Sequence, residues 1–107
     1  MNTPAPSRLN ILLAEDNPVN QKVALLMLEK GGHTATVVED GEQAVEAWQT
    51  GRFDMILMDI MMPRLNGLEA TRHIRREEHR LGGHIPILAL TANAMHDDPE
   101  QCLAAGM

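Results

Sequence analysis

Apolar residues fall along this chain in two rhythms. Leu9 to Ala14, Met55 to Met58 and Ile85 to Leu90 are short, nearly unbroken apolar runs. Runs of that length suit strands buried on both faces of a parallel sheet. Thr34 to Val38 is the least apolar of the strand-like stretches, as an edge strand should be. Between the strands, apolar residues recur at helical spacing. Val19, Val23 and Leu26 mark the inner face of a first helix, which Asn17-Pro18 opens and Gly31-Gly32 ends. Asp40-Gly41-Glu42-Gln43 resembles a capping box and opens a second helix, with Ala44, Ala47 and Trp48 inward and Gly51 as its stop. Asn66-Gly67-Leu68-Glu69 repeats that logic for a third, with Leu68, Thr71 and Ile74 inside. The charge blocks from Arg72 to Glu78 read as its solvated side. Leu81-Gly82-Gly83 breaks the chain, Pro86 stands near the start of the last strand, and Asp98-Pro99 opens a fourth helix that runs to Ala105.

Strand and helix alternate through four such units, which predicts an α/β domain with an open parallel sheet and right-handed crossovers. A length of 107 residues bounds it to one domain. Residues 1–8, with Thr3-Pro4-Ala5-Pro6-Ser7, read as the end of a linker, and residues 9–107 as the domain itself.

Composition narrows the partners. Nine Lys and Arg stand against 15 Asp and Glu, a net charge of −6. That balance argues against nucleic-acid binding by this domain and tolerates a divalent cation or a basic partner. The single Cys102 excludes an intrachain disulfide and fits a reducing compartment. No apolar run could span a bilayer and no signal-peptide pattern is present, so a cytoplasmic domain without membrane contact is expected. The five histidines share no ligand spacing and read as surface residues. Eight methionines fill the core gaps that aromatics fill elsewhere.

The candidate chemistry lies where strands end. The first run ends in Glu15-Asp16, the third strand in Asp59, and the last in Thr91-Ala92. Open α/β sheets bind ligands at the carboxyl ends of their strands. Should those tips be neighbours, three carboxylates and a hydroxyl surround one crevice. Like charges that close require neutralising, and a hard divalent cation such as Mg2+ does so economically. A carboxylate beside such a metal is suited to accept a phosphoryl group. Thr91 is positioned in sequence to donate a hydrogen bond to that group, and Ala92 is small enough to leave it room.

These motifs, with Met62-Pro63 and Gly67 after Asp59, resemble the receiver domain of two-component signalling. Ala14 to Gln21 and Leu90 to Ala94 resemble receivers attached to hybrid sensor histidine kinases. The resemblance covers roughly residues 9 to 107 and implies a flavodoxin-like sheet of full order 2-1-3-4-5. It implies that Asp59 accepts phosphate from the phosphohistidine of a histidine kinase or histidine phosphotransfer domain. Glu15, Asp16 and Asp59, with the backbone carbonyl of Met61, would hold Mg2+ or Mn2+. Thr91 would swing toward the phosphoryl group, and Asn17 and Met61 would influence its lifetime. Such a domain is a phosphoacceptor and not an enzyme in its own right.

One departure from the pattern stands out. The family continues into a fifth strand with a phosphate-binding Lys and a fifth helix, and this sequence stops at Met107 before them. The expectation is a bare fourth-strand edge, open to pairing or element exchange with a second copy, or else a longer chain whose end is missing here, with metal binding kept and phosphoryl transfer impaired. Two rival classes are weighed against this reading. A haloacid-dehalogenase-like phosphotransferase needs a second acid two residues after the nucleophile, where this chain has Met61. A receiver-like interaction module that takes no phosphate is the other.

Overall fold

Strands β1 (Asn10–Ala14), β2 (Thr34–Val38), β3 (Met55–Asp59) and β4 (Ile87–Leu90) lie parallel in the order β2-β1-β3-β4. They are joined by helices α1 (Pro18–Lys30), α2 (Gly41–Thr50) and α3 (Gly67–Leu81). This is the flavodoxin-like arrangement expected from the alternation, seen in a computed structural model that describes residues 8–60, 62, 64–90 and 106–107. The fourth helix expected after Asp98 lies outside the described residues. The register aligns Ala14 with Val38 on one side and with Met58 on the other, while Asp59 pairs with Leu90. All strand tips therefore finish at one level.

Local chemistry sets the helix ends. Asn17 Oδ1 accepts from the backbone N–H of Val19 (2.8 Å) and Asn20 (3.2 Å), and Pro18 occupies the first turn, where no partner for its nitrogen is needed. Asp40 Oδ1 accepts from Gln43 N (2.8 Å), and Gln43 Oε1 accepts from Glu39 N (2.8 Å). The box closes on the residue before the cap, but its reciprocal logic holds. Asn66 caps α3 through Glu69 N (2.9 Å).

The main core lies between the sheet and the helices α2 and α3. Leu12, Ala14, Ile56, Met58 and Ile87 meet Ala44, Val45, Ala70 and Ile74 there, with Met62 from the loop after β3. The opposite face is thinner. Ile11 and Leu13 are buried, yet Leu57 is only half-buried and Leu88 is 53% exposed. Met55 to Met58 is thus not buried evenly on both faces, and α1 packs chiefly over β2, away from β3 and β4.

The inner face expected for α1 needs correcting. Val19, Val23 and Leu26 point to solvent, 69%, 53% and 61% exposed. The helix instead turns Gln21, Ala24, Leu25 and Leu28 toward the sheet, all half-buried. Two apolar stripes share this helix, and spacing alone does not say which one packs.

The charged side of α3 also departs from expectation at its C-terminal end. Glu78 is buried, accepting from Arg75 Nη1 (2.6 Å) and from Ile85 N (2.6 Å). Arg75 Nε in turn donates to the Gly106 carbonyl (2.8 Å). This network ties α3 to the approach to β4. Glu78→Ala should cost about 3 kcal/mol in urea unfolding, because it strands a guanidinium and a backbone N–H. A loss under about 0.5 kcal/mol would mean that solvent replaces the carboxylate at no cost. Glu77 behaves as the expected surface charge. A hydrogen bond from Arg80 holds its carboxyl below the usual range, so its small contribution is present at neutral pH and fades as pH falls through that lowered value.

Candidate metal and phosphoryl site

Glu15, Asp16 and Asp59 converge where β1 and β3 end. Each offers a carboxylate oxygen, and these oxygens lie within 4.8 Å of one another. The parallel register is the cause: with Ala14 opposite Met58, the next residue of each strand carries an acid to the same place. Glu15 is buried, Asp16 exposed and Asp59 half-buried.

Glu15 is fixed from three sides. Its backbone N–H donates to Val38 O (3.0 Å), extending the pairing with β2 past the end of β1. Its carbonyl accepts from Gln21 Nε2 (2.6 Å), and its Oε2 accepts from Asn17 N (2.9 Å). Asn17 therefore serves twice, capping α1 and steadying the acidic pair. Gln21 was not identified from sequence as part of the site. Its place one turn into α1, facing the sheet, is the signal that the wrong choice of helix face concealed.

Asp59 is set by the start of α3. Gly67 N donates to Ile60 O (3.0 Å), and a Cβ on Gly67 would overlap the Asp59 carbonyl oxygen and lie 2.9 Å from Met58 Cγ. Only a residue without a side chain lets α3 begin this close to the acid.

The donor set fits a hard divalent cation. Three carboxylates at this separation repel one another, and oxygen-only ligation with room for water on the exposed Asp16 side suits Mg2+. Met61, Thr91 and Ala92, singled out from sequence, lie outside the described residues. Among the described residues no helix is long and apolar enough to cross a membrane.

Comparison with known proteins agrees with this geometry. Residues 11–107 match the response regulator receiver domain family. Hybrid signal transduction histidine kinase I of Dictyostelium discoideum is 47% identical over 102 residues, covering 91% of this chain and 6% of that protein. The chain thus spans a small part of the length of the relative it matches. The receiver domain of the sensor histidine kinase PA1611 from Pseudomonas aeruginosa, solved with magnesium in its active-site cleft, is 51% identical. It superposes with a TM-score of 0.81, covering 94% of this chain and 81% of that one. A co-crystal structure from Saccharomyces cerevisiae of the histidine phosphotransfer protein Ypd1 with the receiver domain of Ssk1 matches at 32% identity. Its TM-score is 0.85, with coverage of 92% and 74%. The chain belongs to the response regulator receiver domain family, a signalling domain of two-component systems rather than a catalytic one.

Proposed function

We propose that residues 9–107 act as a phosphoacceptor in a two-component phosphorelay, with Asp59 taking the phosphoryl group. The observation that carries this reading is the gathering of Glu15, Asp16 and Asp59 within 4.8 Å at the strand ends. Glu15 and Asp16 would hold Mg2+ together with Asp59, and the roles read from the family resemblance for Met61, Thr91 and Ala92 belong to the same proposal. When bound, the cation would neutralise the carboxylates and the charge of the transferring phosphoryl group. In the transfer, an Asp59 carboxylate oxygen bonds to phosphorus as the phosphorus–nitrogen bond of a phosphohistidine breaks. The electron pair leaves with the imidazole. The setting would be cytoplasmic.

The donor would be a histidine kinase or a histidine phosphotransfer domain. Its phosphohistidine must reach Asp59 past the site's rim, and α1 starts on that rim, tied to Glu15 through Asn17. The exposed Val19, Val23, Leu26 and Met27 supply an apolar stripe leading away from it. Val23→Asp should slow transfer from a phosphorylated phosphotransfer domain about tenfold and leave uptake from acetyl phosphate unchanged. An equal effect on both donors would take α1 out of partner recognition.

Intact-mass measurement after incubation with acetyl phosphate and Mg2+ tests the acceptor role. The chain should gain one phosphoryl group, and Asp59→Asn should gain none. A chain that stays unmodified is a receiver-like interaction module instead.

A further inference from the structure

Arg64 and Leu65, which lead into α3, meet the junction of β2 and α2. Asp40 is buried and splits its two oxygens between tasks. Oδ1 caps α2 at Gln43 N (2.8 Å), and Oδ2 faces Arg64 Nε at 3.8 Å. Arg64 holds a left-handed backbone with φ of 66°, which an L side chain adopts only against a steric penalty. Its neighbour Leu65 presses on Gly41 so closely that a Cβ there would overlap the Leu65 carbonyl oxygen. The same junction reaches the other half of the site, because Val38, two residues before Asp40, accepts from Glu15 N.

We propose that Asp40 is a positioning residue for phosphoryl uptake, holding the entry to α3 in its working conformation through Arg64, with Gly41 giving Leu65 room to seat. This rests on the acceptor role proposed for Asp59. Asp40 touches no reacting atom. It joins the two segments that bear the acids, Glu15 by way of β2 and Asp59 by way of the start of α3, where Gly67 lies against the Asp59 carbonyl. Its charge faces Arg64 at 3.8 Å, whereas its capping task could be met by Asn.

Arg64→Gly and Asp40→Asn test this without threatening the fold. Glycine takes the left-handed backbone at no steric cost, and Asn caps α2 as well as Asp does. The readouts are the rate of phosphoryl uptake from acetyl phosphate at saturating Mg2+, by intact mass, and the melting temperature. Each variant should be about tenfold slower with its melting temperature held, and the double variant should be no slower than either single one. Arg64→Lys should recover most of the rate. Variants as fast as the unaltered chain, or losses matched by a fall in melting temperature, would overturn the positioning role alone. An unaltered chain that takes up no phosphoryl group would instead overturn the acceptor reading, and the role of Asp40 with it.

Discussion

Asp16→Asn is expected to weaken Mg2+ binding about 100-fold and to stop phosphoryl uptake at millimolar Mg2+. Changes to groups that merely steady a metal ligand cost 10- to 100-fold, so losing a ligand outright belongs at the top of that range. The same substitution should raise stability in EDTA. Three carboxylates whose oxygens lie within 4.8 Å of one another repel, and removing one charge relieves about 1 kcal/mol at the effective dielectric of a site open to water on the Asp16 side. The unaltered chain should gain about 1.4 kcal/mol from Mg2+ at ten times its dissociation constant, and the variant almost nothing. Thermal melts with and without Mg2+ check both signs. A variant that is still stabilised by Mg2+ would mean that Asp16 is not a ligand.

Gly67→Ala is expected to cost about 3 kcal/mol or more. The conflict is one of space, since Gly67 has no left-handed backbone. Its added Cβ would meet the carbonyl oxygen and carbon of Asp59 and the Met58 side chain. Backbone on one side and a buried side chain on the other leave little room to give. Either α3 backs away from the sheet, opening the core around Ala70 and Ile74, or the end of β3 shifts and carries Asp59 with it. Urea unfolding should record the loss. A variant within about 0.5 kcal/mol of the unaltered chain would show that the helix start tolerates a side chain.

The strands and helix ends were legible in the sequence because they depend on local rules. Asn17-Pro18, Asp40 and Asn66 cap where their side chains can reach backbone N–H groups two or three residues on. The acids were legible too, because a parallel sheet brings residues that follow its strands to one edge. What was not legible depends on the third dimension. Val19, Val23 and Leu26 have the spacing of a buried face, yet α1 packs with Ala24, Leu25 and Leu28, and nothing local separates the two stripes. Glu78 sits among charged neighbours and is buried because Ile85 N, seven residues later, folds back onto it. Gln21 reaches the Glu15 carbonyl only once α1 folds back on the end of β1, and Asp40 faces Arg64 only once the end of β2 lies beside the entry to α3.

Trapping the acyl phosphate tests directly whether one residue carries phosphate at a site made of three acids. Borohydride converts an aspartyl-phosphate to homoserine, which peptide mass spectrometry locates. After acetyl phosphate and Mg2+, homoserine should appear at position 59, and it should vanish when EDTA replaces Mg2+. Conversion at another carboxylate with Asp59 intact, or conversion indifferent to the metal, would contradict it.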